Sequence, residues 1–230
     1  MTEEEARSWL AAQSWYDQHV ADRLALFADL VLDEADRQNL ISAASRDQIW
    51  SRHIVDSAQL LNLTTDQTDG LWIDLGTGAG FPGIVVACVR SAPIKFVEMR
   101  PLRSAFLVKC IHALALPHAE VCSTKVERVE ADRPAQIISA RAYAPLDRLL
   151  PSASHLGDES SRWLLPKGRN AMREVEAVRR DWQGVFHVEQ SITDAESAIV
   201  TIHKLSRKYP VRAPGLSAAK RMTTARWRGK

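Results

Sequence analysis

Three alternating glycines constrain this chain more than any other feature. The run Leu71-Trp-Ile-Asp-Leu-Gly-Thr-Gly-Ala-Gly-Phe-Pro-Gly83 starts as an apolar strand carrying Asp74 near its end. It breaks at Gly76, Gly78 and Gly80, then passes through Pro82 into the apolar stretch 83–89. Glycine allows positive φ and has no Cβ, so a backbone built this way can press against a bound molecule. Proline at the first helical position wastes no amide, and the helix N-terminus offers free N–H groups and a positive dipole end. A second apolar strand over 94–99 carries Glu98 near its tip, where a carboxylate suits the hydroxyls of a ribose. Strand, glycine turn, helix and acid-tipped strand predict a nucleoside-cofactor cradle.

Two nucleoside cofactors compete for that cradle. Gly78-Ala-Gly80-Phe-Pro-Gly83 matches G-x-G-x-x-G, and Glu98 lies twenty positions after Gly78, which is the dinucleotide fingerprint. Asp74 argues otherwise: a carboxylate at that place repels a pyrophosphate but suits the ammonium of a methionine moiety. Asp74-Leu-Gly-Thr-Gly-Ala-Gly80 resembles motif I of the S-adenosylmethionine methyltransferases, with Glu98 as their motif II acid. The acid, the triple glycine and the second acid together weigh against a merely structural turn.

Along the chain, residues 3–13 and 16–40 have helical spacing, with Val20, Leu24, Phe27, Leu30 and Val31 on one face. A third helix is predicted from about residue 46, carrying Ile49, Trp50, Ile54, Val55, Ala58, Leu60 and Leu61. Within it His53 and Asp56 stand three apart, placed either to reach a common partner or to form a capped, solvated face. From residue 71 strands and helices alternate. Strands are expected at 71–75, 94–99, 119–122, 135–142 and 162–166, helices at 83–89, 101–116 and 171–182, and a closing hairpin at 185–189 and 197–205. The fold class is therefore α/β: a Rossmann-like, mostly parallel seven-stranded sheet with helices on both faces and an N-terminal helical extension. The expected division is 1–65 extension, 66–205 core domain and 206–230 tail.

Ligands of such sheets sit at the carboxyl ends of the strands. Those ends carry Asp74 with the glycines, Glu98, Val126-Glu127, Arg141 and Lys167. Acids surround the cofactor side and bases follow on the other, as expected for an adenosyl cofactor beside a phosphate-bearing substrate. Arg141 directly after an apolar strand is costly to bury unpaired, so it either meets substrate or forms a salt bridge with Asp74 or Glu98. Lys167 and Arg169 read equally as substrate contacts or as a solvated loop.

The net charge of +2 conceals a division. Residues 206–230 hold eight basic side chains and no acid, leaving −6 on the rest. Pro210, Pro214 and Gly215 oppose a regular element there, so the tail reads as an arm for polyanions or a solvated terminus. No stretch approaches the ~20 apolar residues of a membrane span, and the acidic start is no signal peptide. Cys88, Cys110 and Cys122 are widely spaced in apolar runs and read as reduced packing residues. A cytoplasmic location is expected, with no metal site and a monomeric state.

Asn39-Leu-Ile-Ser42, Arg52-His-Ile-Val-Asp-Ser57, Asp74 to Ile84, Val126-Glu127, Ser139-Ala-Arg-Ala142 and Lys167-Gly168 stand in one order that resembles the small-subunit ribosomal RNA methyltransferase G family, formerly glucose-inhibited division protein B. Ile41 departs from the threonine usual in that family. The resemblance implies methylation of N7 of a guanine in the 530 loop of 16S rRNA, with S-adenosylmethionine as donor and the small ribosomal subunit as partner. Its implied cofactor contacts are Gly76, Gly78 and Phe81 in the loop and Val126 and Glu127 at the adenine, and Asp74, Thr77, Gly80, Glu98 and Arg141 complete the expected set. Arg141 is expected beside the reacting centre as a positioning group, with Lys167 and His53 as further candidates. Lys167, Arg169, Arg207, Lys208, Arg212, Lys220 and Arg221 are the expected RNA contacts. Guanine N7 has a lone pair and no proton, so no general base is required. Ser139 to Pro145 lacks the Asn/Asp-Pro-Pro-Tyr/Phe box of exocyclic-amine methyltransferases, which disfavours an amine target. A nicotinamide oxidoreductase would need a second dinucleotide half, which is missing. A small-molecule methyltransferase would leave the basic tail without a task, and a non-catalytic RNA binder would not need both cofactor acids.

Overall fold

The structure, a computed structural model, describes residues 1–64 and 69–209. The stretch 65–68 and the tail beyond Tyr209, including Arg212, Lys220 and Arg221, lie outside the described residues. The elements run α1 (Glu3–Ala11), α2 (Gln18–Ala35), α3 (Asp56–Ala58), β1 (Trp72–Leu75), α4 (Gly83–Val89), β2 (Ile94–Val97), α5 (Pro101–Ala113), β3 (Ala119–Cys122), β4 (Ile137–Ala140), α6 (Leu146–Ala153), β5 (Arg162–Lys167), α7 (Ala171–Val178), β6 (Trp182–Gln190) and β7 (Ala198–Arg207).

The seven strands form one sheet in the order β3-β2-β1-β4-β5-β7-β6. β1 to β5 are mutually parallel, and β7 runs antiparallel to both β5 and β6. The order reverses beside β1, the switch point at which such sheets open a crevice at their carboxyl edge. Side chains alternate across the sheet. Trp72 and Phe96 therefore join one buried cluster with α4 and the N-terminal helices. Ile73, Leu75 and Val97 join another with α6 and α7. All four residues of β1 are buried, as a central parallel strand covered on both faces requires. Leu10, Leu24, Phe27 and Ile54 of the extension share the first cluster with Trp72 and Ile84, so the extension completes the sheet's cover.

The N-terminal helices depart most from expectation. α2 ends at Ala35, leaving Asn39-Leu-Ile-Ser42 outside it. The expected third helix is a mosaic: a 3-10 turn (Ala43–Gln48), a π-helical turn (Trp50–Val55), α3 and a second 3-10 turn (Gln59–Leu63). The cause is tertiary. The Glu3 carboxylate accepts from Trp50 N at 3.1 Å and Ser51 N at 2.8 Å, drawing these amides toward α1 at the point where the winding changes. Elsewhere α7 stops at Val178, because Trp182 already begins β6. Pro82, joined to Phe81 by a cis peptide, stands one residue before α4 rather than within it.

Candidate functional site

The glycine cradle is held from below by the two acids. Asp74 shares the sheet face of Trp72, the face that α4 covers, and is fully buried. Its carboxylate accepts from Ser139 Oγ at 2.6 Å and Gly83 N at 3.2 Å, while Trp72 Nε1 donates to the same Ser139 hydroxyl at 2.8 Å. Burial raises its pKa to about 6 against the opposing hydrogen bonds. Glu98 accepts from Gly78 N at 3.0 Å and Arg100 N at 2.8 Å. Gly76 N and Thr77 N donate to Val97 O, and Thr77 Oγ1 to Asp74 O. Gly76, Gly78 and Gly80 all adopt positive φ, so this path demands glycine. The space beside Gly78 is open: an added Cβ would meet nothing closer than 3.6 Å. Val126 is buried and Glu127 exposed in the turn after β3, on the same sheet edge as Glu98. Asp74 thus lies beneath the loop and braces it, where a contact with a ligand's ammonium was expected, and the open space beside Gly78 is where S-adenosylmethionine fits.

Arg141 follows β4 and ties the extension to the sheet. Its Nη1 donates to Asp56 Oδ2 at 3.1 Å and Arg52 O at 3.2 Å, and its Nη2 to His53 Nδ1 at 2.9 Å. The expected salt bridge to Asp74 or Glu98 is thus replaced by one to Asp56, because the π-helical turn brings that carboxylate over the end of β4. His53 and Asp56 do reach a common partner. The guanidinium also lies 5.0 Å from the Phe81 ring centroid. His53 stacks on Phe81 at 4.9 Å, and Phe27 backs that ring at 5.0 Å. Asp56 further accepts from Thr193 Oγ1 at 2.9 Å and Gln59 Nε2 at 3.1 Å, and Arg52 pairs with Asp194. The β6–β7 loop is thereby buttoned onto the π-helical turn.

Burial, then the Arg141 and Arg52 charges, lower the His53 pKa from 6.5 to about 3. Neutral His53 accepts at Nδ1, so its Nε2–H donates to Ser45 Oγ at 3.0 Å. Unfolded His53 takes up a proton near pH 6.5 and folded His53 only near pH 3, so stability is lost as pH falls between those values. Asp74 acts oppositely: its folded pKa lies above the unfolded value, so acidification from about pH 6 to 4 favours the fold. We expect His53→Gln to remove the first dependence, worth at most ~1.4 kcal/mol per pH unit, and to leave the second. Urea midpoints from pH 7 to 4 report this. An unaltered acid slope would mean that His53 does not remain neutral in the fold.

Lys167 is a brace. Its Nζ donates to the Glu174 carboxylate at 2.9 Å and to Ala144 O at 2.7 Å, and Glu174 also accepts from Leu146 N. Lys167 thus fixes the loop that leaves Arg141. Arg169 pairs with Glu196 at 2.9 Å, both largely exposed, an arrangement worth about 0–1 kcal/mol. A cavity of about 710 Å³ opens at the ends of β4 and β5. His53, Arg141, Tyr143, Lys167 and Thr193 are among its walls. It adjoins the glycine cradle without including it.

Arg207 and Lys208 are not brought to this cleft. Ala198 pairs with Lys167 and Arg207 with Trp182, so β7 carries Arg207 about 30 Å away to the opposite sheet edge. There its guanidinium covers the Trp182 ring at 4.7 Å, and Lys208 Nζ donates to Arg179 O. Among the described residues no group of three or more His, Cys, Asp or Glu side chains is placed to hold a metal, and no helix is long and apolar enough to cross a membrane. Ser45, Tyr143 and Thr193 are cleft residues that the sequence reading missed. Tyr143 alone had a signal, its place two residues after Arg141.

The fold has solved counterparts. A glycopeptide N-methyltransferase, MtfA, complexed with sinefungin superposes with a TM-score of 0.56 at 9% identity, covering 66% of this chain and 93% of that one. Precorrin-6y C5,15-methyltransferase from Geobacter metallireducens gives 0.51 at 13% identity, covering 73% and 92%. At such identities the likeness concerns the fold. Sequence relatives are much nearer. Ribosomal RNA small subunit methyltransferase G of Sphingopyxis alaskensis is 49% identical over 198 residues, 86% of this chain and 84% of that protein. The protein of the same name in Novosphingobium aromaticivorans is 42% identical over 219 residues, 94% of each. The family model for rRNA small subunit methyltransferase G matches residues 21–202. The chain, with its glycine cradle and the Arg141 cleft beside it, belongs to the rRNA small subunit methyltransferase G family.

Proposed function

We propose that this protein methylates N7 of a guanine in the 530 loop of 16S rRNA, acting in the cytoplasm on the small ribosomal subunit. The observation that carries the choice of atom is the absence of a free base among the described residues of the cleft. His53 uses both ring nitrogens, Asp56 is held by Arg141 and Thr193, Asp194 by Arg52, and Glu174 by Lys167. Such a cleft suits a nucleophile with a lone pair and no proton to lose. Guanine N7 is one.

S-adenosylmethionine, when bound, supplies a sulfonium-activated methyl whose S–C bond breaks as the N–C bond forms, the sulfur keeping the bonding pair. The protein's own task is alignment, which accelerates a bimolecular transfer without proton transfer. Asp74 and Glu98 fix the glycine loop, while Gly76, Thr77, Gly78, Gly80 and Phe81 would line the cofactor, with Val126 and Glu127 at its adenine. Arg141 has five N–H groups, of which three are committed among the described residues. The remaining two suit guanine O6, beside N7 on the same edge. Its pairing with Asp56 offsets its charge, which otherwise would oppose the cation formed on the purine. Arg169, exposed and paired with Glu196 two residues beyond the cavity wall at Lys167, would exchange that pairing for a phosphate. Arg207, Lys208 and the tail with Arg212, Lys220 and Arg221 would take RNA farther away.

The direct test is transfer of labelled methyl from S-adenosylmethionine to purified small subunits and to bare rRNA, followed by nucleoside analysis. Label in 7-methylguanosine of the 530 loop is expected. Cofactor binding without transfer to either RNA would sink the target reading and leave the fold untouched.

A further inference from the structure

Tyr143 occupies the partition between the glycine cradle and the cavity, and nothing in the network around Arg141 uses it. Ala142 has φ +53°, a left-handed conformation that a residue with a Cβ adopts at a cost. Such strain persists where the surroundings enforce it, and it concentrates at functional sites. Here it turns the chain so that Tyr143 folds back over the cradle. The ring lies directly on Gly76: its Cδ2 is 2.6 Å from the point that a Cβ there would occupy. Tyr143, half-buried, also lines the cavity with Arg141, His53 and Lys167. Among the described residues its hydroxyl has one long contact, 3.4 Å to Ser152 Oγ.

We infer that Tyr143 is the stacking platform for the target purine, holding the base flat at the boundary between cofactor and substrate compartments. The inference rests on the reading of the cleft as a guanine site. Two residues of one loop then supply the two things that orient a base. The aromatic ring fixes its plane, and the uncommitted Arg141 N–H groups fix its rotation within that plane. The cavity, at about 710 Å³, has room for a nucleotide. An extruded base needs a new stacking partner for the one it loses, and enzymes that act on extruded bases read them by stacking and in-plane hydrogen bonds. A volume-filling role would be met equally by an aliphatic side chain, whereas the stacking role needs the ring and has no use for the weakly held hydroxyl.

The test compares Tyr143→Phe, Tyr143→Leu and Tyr143→Ala for kcat/KM with small subunits, S-adenosylmethionine Kd by calorimetry, and thermal melting. Tyr143→Phe, which keeps the ring, should retain far more activity than either aliphatic variant. Tyr143→Leu and Tyr143→Ala should lose roughly ten- to a hundredfold in kcat/KM for RNA, as expected for a lost base–aromatic stack, with cofactor Kd changed less than about twofold. Tyr143→Leu keeps the test valid if the alanine variant melts early. Full activity of Tyr143→Leu, or a cofactor Kd that weakens in step with kcat/KM, would overturn the platform. If the parent itself methylates no guanine N7, the functional reading fails first and this one with it. Parental activity with an inert Tyr143 refutes the platform and spares the function.

Discussion

An Arg141→Met enzyme is expected to lose about a hundredfold or more in methyl transfer, the penalty for an ångström-scale misplacement of reacting groups. Methionine keeps much of the length and apolar volume but removes every donor. Asp56 keeps Thr193 and Gln59 yet loses its cation, and the His53 Nδ1 loses its donor. Breaking a buried pair costs about 3–5 kcal/mol. Here the two side chains are 18% and 15% exposed, so a stability loss at or below the lower end of that range is expected. His53 would also be released from the Arg141 charge and move back toward its ordinary pKa, which weakens the acid dependence described above. Arg141→Lys should fall between the two, because one ammonium retains the pairing with Asp56 but lacks the planar fork that serves His53, Arg52 O and a base together. Kinetics with labelled cofactor and calorimetry separate the roles. A loss confined to kcat/KM for RNA assigns Arg141 to the substrate, and a matching loss of cofactor affinity assigns it to the donor. Unchanged kinetics would remove it from the reaction.

What could be read in the sequence depended on how far along the chain the governing contacts lie. The glycine cradle was legible because its constraint is local: three glycines at positive φ between a buried strand and a helix leave few foldings. The alternation that predicted seven strands was equally local. For Asp74 and Glu98 the position at the strand ends was legible and their direction was not. The Asp74 carboxylate turns beneath the loop because Ser139, 65 positions away, lies opposite it across β1 and β4. The segment 43–63 has apolar spacing that fits an α-helix, yet its winding answers to Glu3, 47 and 48 positions earlier. Arg141 was marked as an arginine too expensive to leave unpaired. Its partner sits 85 positions back, in an extension whose docking no periodicity reveals. Lys167 was legible as a cation at a strand end, but Glu174 and Ala144 O make it a brace of the loop that follows Arg141. The missed Thr193 belongs to a hairpin loop whose tie to Asp56 spans 137 positions.

The glycines that carry the cradle should fail in different ways when replaced by alanine. Gly80 has φ +99°, and a Cβ on it would stand 2.7 Å from Phe27 Cζ and 2.8 Å from Ile84 Cγ1. Both side chains are fully buried, so neither can yield cheaply. A left-handed backbone costs ~1–2 kcal/mol for a residue with a Cβ and overpacking a core about 1–3. Gly80→Ala should therefore destabilise by roughly 2–5 kcal/mol, a melting decrease of about 5–15 °C at this chain length. The displacement does not stop at the core. Phe27 backs Phe81, and Phe81 carries His53 and the Arg141 guanidinium, so transfer should also fall at temperatures where the variant is folded. Gly78→Ala shares the positive φ but meets nothing closer than 3.6 Å. Its stability loss should be the backbone cost only, while its methyl would enter the open space proposed for the cofactor. Calorimetric Kd and melting curves on both variants should thus diverge, Gly80→Ala losing stability and Gly78→Ala losing S-adenosylmethionine affinity. The reverse pattern would mean that the cofactor lies against a different part of the loop.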